Sequence, residues 1–203
     1  MAIGDSYAGV GDLALRLGSD DSFTYPGLLD TASRAVEQFC HRQFNKETAA
    51  TARTFCPVDA DLTIVDDFHT ITGLVVKVDK DKDGVFEATW TTADYMLAPA
   101  NGVVSGSTGW PFWQVWARVG RCFPEEWFGN TVQVTAQWGW TAVPAGIKEA
   151  TLAVAEDMYG KSPGKTRSFA IDGYSASFVV DADGEMLGPF AAAAPYRRFE
   201  GFA

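Results

Sequence analysis

Histidine and cysteine are scarce in this chain, with two of the first and three of the second among 203 residues. Cys40, Cys56 and Cys122 are odd in number and far apart, with no CxxC pair. That pattern excludes a disulfide framework and a thiolate zinc site, and it fits assembly in a reducing compartment. Long apolar runs are missing too. No stretch approaches the roughly 20 residues that a transmembrane helix requires. The opening MAIGDSYAGVGDLALRLG has no basic start, long apolar centre or cleavage site, so no signal peptide is expected. Positive charge is also in deficit: 16 Lys and Arg against 26 Asp and Glu give a net charge of −10. A sequence-independent DNA binder needs cations to displace counterions from phosphates, so that class is excluded, although an acidic surface can still border DNA as a repelling wall. No internal repeat is found. Hydrophobic residues at 47% are enough for a buried core in one domain, or in one domain with an insertion.

Catalytic patterns are equally thin. GKSPGKT, from Gly160 to Thr166, looks like a phosphate-binding loop but is one residue short. Pro163 removes one of the N–H donors such a loop supplies, and helical periodicity precedes the stretch where a strand should. It reads as a loop after a helix. His41 sits at a helix end and His69 in a polar stretch after Asp66 and Asp67. GYSAS, from Gly173 to Ser177, lacks the second glycine of a nucleophile elbow. Asp66, Asp67, Glu125 and Glu126 read as solvated carboxylates. No enzyme and no cofactor are expected.

What is present is an ordered alternation of patterns. Between Ser22 and Phe44 the apolar residues Tyr25, Leu28, Leu29, Ala32, Val36, Phe39 and Cys40 recur every three or four positions, the stripe of an amphipathic helix. Ser22 or Thr24 is the expected cap, with Pro26 tolerated in the first turn. Gly11 to Leu17 predicts a short helix before it. From Thr51 to Trp140 the runs become short and β-like: 52–56, 62–65, 73–79, 85–91, 113–119 and 131–138. Helical spacing returns in PAGIKEATLAVAEDMYGK, where Ile147, Ala150, Thr151, Val154 and Met158 form the stripe and Gly160 ends it. The fold class read from this is α+β: a helical core of two main helices, an inserted small β-sandwich or barrel-like domain, and an extended C-terminal tail. The expected divisions are 1–48 helical, 49–140 β-rich, 141–167 the helix completing the core, and 168–203 the tail. The tail lacks the periodicity of an element packing on its own core, apart from two short strands about Asp172-Gly173 and a helical turn near Phe190–Ala194.

Two features invite binding roles. In VDKDKDG, Asp79, Asp81, Asp83 and Gly84 copy the first half of an EF-hand loop, but position 12, where a bidentate Glu belongs, is Trp90. The flanks alternate like strands, so a hairpin tip with solvated charge is the preferred reading. Weak calcium binding with Glu87 as a further ligand is the other. The second feature is aromatic crowding: Trp110, Phe112, Trp113, Trp116, Phe123, Trp127, Phe128, Trp138 and Trp140. A small β domain buries one such face, and a second apolar face implies a protein interface. Filling of a single core by all these rings is equally compatible.

YPGLLDTASRAVEQFCHRQF, residues 25–44, resembles the first long helix of head–tail connector proteins, the adaptors of tailed bacteriophages, through Phe39, Cys40, Arg42 and Phe44. VQVTAQWGWTAVPAGIKEATLAVAEDMY, residues 132–159, resembles their strand, aromatic-Gly-aromatic turn, Val-Pro and Ile-Lys-x-Ala helix. DYMLAPANG, with Asp94, Tyr95, Pro99 and Asn101, and the run Pro195, Tyr196, Arg197, Arg198 are similar as well. The resemblance implies a non-enzymatic virion protein of the neck, assembled in the host cytoplasm. It implies a homo-oligomeric ring, usually of twelve subunits, under the portal protein. Such a ring extends the DNA channel without sequence-specific contact or membrane contact, and it docks the next neck or tail protein. About twelve copies would carry roughly −120 of formal charge, a wall along which DNA slides. The expected interface residues are Trp113, Trp116, Phe169, Tyr174, Phe178, Phe190, Tyr196, Arg197, Arg198 and Phe199, with Arg197 and Arg198 meeting acidic surface on a neighbour. The competing class is a monomeric ligand- or calcium-dependent β-rich binding module, with the aromatic strands as platform and the Asp hairpin as metal clip.

Overall fold

In this computed structural model the described residues are 4–19, 21, 23–124, 129–160 and 188–198. They fall into two compact units. One holds the described residues of Met1–Phe44 and Val143–Phe199, the other those of Asn45–Ala142.

The first unit is helical. Helix α1 spans Val10–Leu17, α2 Tyr25–Cys40 and α3 Ala145–Gly160, and a 3-10 segment follows at Gly188–Tyr196. The stripe read from the sequence is the buried face of α2: Tyr25, Leu29, Ala32, Val36 and Cys40 are all at or below 1% exposed. Each large apolar side chain buried in this way contributes roughly 1.5–3 kcal/mol before entropy is counted. Thr24 is the N-cap residue of α2, but its side chain makes no capping bond. Its backbone is already in the right-handed helical region (φ −87°, ψ −35°), and Asp21 instead accepts the Thr24 N–H at 3.0 Å. At the other end His41 takes a left-handed conformation and closes the helix. Arg16 of α1 binds Glu149 and Glu156, two turns apart on α3, and Lys148 binds Asp12 at 2.9 Å. These pairs are half-exposed, so solvent screens most of their attraction.

Residues 188–198 include the helical turn expected near Phe190–Ala194, as a 3-10 segment, and correct the extended form expected of the tail there. They pack within the helical unit, where Ala193 is fully buried and the Cys40 thiol points at its carbonyl. A methyl on Gly146 would lie 2.6 Å from the Ala192 carbonyl oxygen, so α3 and the 3-10 segment touch through backbone. Small residues carry this contact, which is why no apolar period announced it.

The second unit is one antiparallel sheet of six strands. Its strands are β1 (Thr51–Phe55), β2 (Leu62–Val78), β3 (Ala88–Trp90), β4 (Tyr95–Ala98), β7 (Phe112–Ala117) and β8 (Val132–Trp138). The order is β1-β8-β2-β7-β4, with β3 on β2. A separate two-stranded ladder joins β5 (Val103–Val104) to β6 (Ser107–Thr108). The sandwich expectation is thereby corrected. The strands expected at 62–65 and 73–79 are one strand of 17 residues, running through the polar DDFHTIT that reads as a break. Register shifts at 64/68, 68/70 and 70/75 bend it, so its first half pairs with β7 and its last with β3. Bulges of this kind re-aim a strand without ending it. The bent sheet encloses one core containing Val65, Phe68, Val76, Trp90, Val115, Phe123, Val134 and Trp138. The alternation in TVQVTAQW holds, with Val132, Val134, Ala136 and Trp138 buried.

Gly139, at φ 88°, closes this unit. It bridges Lys46, and a β-carbon there would fall 1.6 Å from the Asn45 carbonyl oxygen. Replacement by alanine forces both chains apart and imposes a left-handed backbone on a residue with a side chain. Gly139→Ala should destabilise the protein by about 3 kcal/mol or more, measured by denaturant unfolding. A change below about 1 kcal/mol would contradict the geometry.

Candidate functional site

The expected interface residues divide between the two units. In the helical unit Phe190 stacks on Phe39, with centroids 4.9 Å apart and planes 19° apart. The Arg197 guanidinium lies 5.3 Å from the centre of the same Phe39 ring. Tyr196 meets Phe44 edge-on at 6.2 Å, and Phe44 meets Tyr7 edge-on at 5.6 Å. The Arg198 backbone N–H donates to the Cys40 carbonyl at 2.9 Å. A shallow cleft of about 480 Å³ opens here, lined by Ala35, Gln38, Phe39, His41, Met158, Phe190 and Arg197. Its walls are mainly apolar, with Arg197 at one side. Phe169, Tyr174, Phe178 and Phe199 lie outside the described residues, as do Glu125, Glu126, Trp127, Phe128 and all of GKSPGKT after Gly160. Helix α3 runs up to Gly160, so that motif follows a helix.

Beneath the cleft the chain start is held by Tyr7. Its N–H donates to Ser33 Oγ at 3.0 Å, and its hydroxyl donates to the Glu37 carboxylate while accepting the Phe44 N–H at 2.9 Å. Burial, followed by the Glu37 contact, pushes the Tyr7 phenol up, and burial raises the Glu37 carboxyl. Arg34 pairs with Glu37 at 2.9 Å. The Cys40 thiol is pushed up to about 12 by burial, which leaves it an inert core side chain. Tyr7 carries no signal in the sequence, because a lone tyrosine before a helix has no pattern.

In the sheet unit Trp113 and Trp116 point to different surroundings. Trp113 is half-buried against Trp110 (6.1 Å), which itself packs on Trp140 (5.1 Å). Trp140 is buried and donates to the Asp67 carboxylate at 2.9 Å. Asp67 is only 6% exposed, so it is not the solvated carboxylate expected of it. Trp116 is 37% exposed and stands opposite Met96, itself 50% exposed. The aromatic run therefore fills a core and also leaves a surface. His69 is half-buried, with its imidazole pKa lowered by burial and by Lys46. His41 and His69 belong to different units.

The Asp hairpin forms between β2 and β3. Asp79, Asp81 and Glu87 each bring one carboxylate oxygen within 4.8 Å of the others. Asp79, however, is not solvated: it is 3% exposed, and its two oxygens accept the N–H groups of Lys82 (2.7 Å) and Gly84 (2.8 Å). Asp83 accepts from Val85, and Glu87 from Lys80. Asp79 thus satisfies turn amides, and the EF-hand-like spacing is explained by turn geometry. Repulsion from Asp83 raises the Asp81 carboxyl.

No protein-family profile and no curated protein matches the chain. Solved structures do. A chain from "Neck of empty GTA particle computed with C6 symmetry" superposes with a TM-score of 0.55 at 17% identity, covering 99% of this chain and 95% of that one. A chain from "Neck of native GTA particle computed with C12 symmetry" gives 0.52 at 16% identity, covering 97% of each. The chain shares its fold with neck chains of a phage-like particle. The match takes in both units along nearly the whole length, and no enzymatic family is indicated. No helix among the described residues is long and apolar enough to cross a membrane.

Two measurements check the site chemistry. Asp79→Ala leaves two turn amides unpaired and should cost about 1–3 kcal/mol, whereas Asp81→Asn and Asp83→Asn should leave the melting temperature nearly unchanged. Equal effects of all three in thermal melts would contradict the assignment. Asp94 is held down to about 2 by N–H and hydroxyl donation from Thr91 and by Arg121 at 2.7 Å. A depressed carboxyl stabilises above its unfolded value and loses that contribution as pH falls through the folded one. The melting-temperature advantage of the wild type over Asp94→Asn should therefore shrink from about pH 4 downward and vanish near pH 2.

Proposed function

We propose that this chain is a structural virion protein, a head–tail connector of a tailed phage or phage-like particle. About twelve copies form a ring beneath the portal, extend the DNA channel and dock the next neck or tail protein. The observation that carries this reading is the full-length structural match, in both units and in chain order, to chains of necks computed with C6 and C12 symmetry. A cyclic ring needs two different surfaces on each copy, one meeting the other on the next copy. Phe190, Arg197 and the cleft beside Phe39 are the candidate contact for the portal or an adjoining subunit. Arg197 supplies the cation that an acidic neighbour would meet. The net charge of −10 per copy suits a channel wall that DNA passes without adhering.

The alternative, a monomeric β-rich module that binds calcium or another ligand, rests on the trio Asp79, Asp81 and Glu87. Both oxygens of Asp79 already accept turn amides, which disfavours it. Adding the purified protein to portal-bearing capsids that lack a neck separates the two readings. Electron microscopy should show new ring density under the portal, and calcium should leave the melting temperature unchanged. A protein that stays off the capsids, remains monomeric at all concentrations and melts several degrees higher with calcium would favour the binding module instead.

A further inference from the structure

Residues 95–117 hold no Asp, Glu, Lys or Arg, in a chain that is 21% charged. At that density the stretch would carry about five charges, and it is the longest charge-free run in the sequence. The next longest, 127–147, passes through β8, which is hydrogen-bonded to β1 on one side and β2 on the other and buries alternate side chains. Burial accounts for that run. It does not account for 95–117. Among the described residues β4 ends the sheet and pairs with β7 alone. Met96 on β4 is 50% exposed, its cross-strand neighbour Trp116 is 37% exposed, and Val103 in the adjoining ladder is 38% exposed. Residues directly opposite one another on antiparallel strands touch, so Met96 and Trp116 form one apolar patch.

An open strand edge is a template for pairing, and soluble proteins guard such edges with charge. The opposite edge of this sheet follows that rule. On β1, Arg53 is fixed by Glu47 and Asp66, both at 2.7 Å. Among the described residues β4 itself carries no charged side chain, and the nearest ion pair, Asp94 with Arg121, precedes its first residue.

We infer that the β4 edge and the surface around Met96 and Trp116 form a contact between copies of this chain. The inference rests on the ring reading above. The charge distribution selects the occupant. Copies carrying −10 each repel wherever acidic surfaces face one another, and this stretch is where a copy can be approached without that cost. Nucleic acid would require Lys and Arg, and an acidic or basic partner would require the opposite charge. The stretch offers neither. In a cyclic ring this edge meets a different surface of the neighbouring copy.

Sedimentation of the full-length protein over a concentration series tests this, using wild type, Met96→Glu with Trp116→Glu, and Val119→Glu. Val119 is fully exposed just beyond the stretch, so its variant adds the same charge elsewhere. The wild type and Val119→Glu should associate alike. The double variant should stay monomeric to at least about tenfold higher concentration, with unchanged circular dichroism. If the double variant is less folded, Met96→Glu alone is read, since that side chain stands on the surface. Association of the Met96 and Trp116 variants equal to wild type would overturn this surface and leave the ring reading intact. A wild type that never associates by itself would overturn the inference, and capsid binding would still decide the neck reading separately.

Discussion

At the end of β8 the backbone leaves room for nothing larger than a hydrogen. Gly139 lies against the Asn45 carbonyl, and the rest of the sheet unit depends on that approach. The chain enters this unit at Asn45 and leaves it at Ala142, so the contact ties entry to exit. The neighbours of Gly139 use the same closure. The Trp138 indole N–H donates to the Thr51 carbonyl at 2.9 Å, with Arg53 over its ring, and Trp140 donates to Asp67. The Gly139 N–H donates to the Asp67 carbonyl. An aromatic-glycine-aromatic turn is thus a physical requirement: one ring seals the sheet core, the other covers a buried carboxylate, and glycine lets two strands touch.

The helical unit solves a related problem with small side chains. Cys40 on α2, Gly146 on α3 and Ala193 in the 3-10 segment lie along one seam, and their small side chains permit a close backbone approach. Larger rings then sit around that seam, Phe44 between Tyr7 and Tyr196, and Phe39 under Phe190. Phe39, Cys40 and Phe44 at the end of α2 therefore hold both the chain start and residues 188–198. The surface they leave, with Phe190 and Arg197 at its rim, is backed by a rigid core, which is what a docking surface needs if ordering costs are to stay small.

The legible parts of this protein were those with a period. The stripes of α2 and α3 bury most of the residues their spacing indicates, with Leu28, Phe39 and Met158 only half-buried, and the alternation of β8 holds throughout. β2 reads as two strands because bulges carry it through DDFHTIT, and a bulge has no compositional mark. β4, β5 and β6 are too short to show alternation. Asp79 reads as solvated because a carboxylate turned inward onto amides has the same sequence as one facing water. The packing of 188–198 stayed hidden since alanine and glycine contact leaves no hydrophobic signature. Aromatic density is equally compatible with a filled core and with a second face, and only the strand order shows that Met96 lies on the edge strand with Trp116 opposite it on β7.

Charge ties these parts to the proposed role. The cations that hold the fold are engaged with the protein's own carboxylates: Arg16 with Glu149 and Glu156, Arg34 with Glu37, Arg53 with Glu47 and Asp66, Arg121 with Asp94 and Lys148 with Asp12. A guanidinium fork already gripping a carboxylate has little to offer a phosphate. Affinity for DNA grows with the number of phosphates neutralised, so arginines already paired with carboxylates and an excess of ten negative charges both lower it. The same excess would make self-assembly unfavourable if it were spread evenly over the surface. Under the proposed role, clearing charge from one sheet edge would let a strongly acidic chain repel DNA and still meet its own copies.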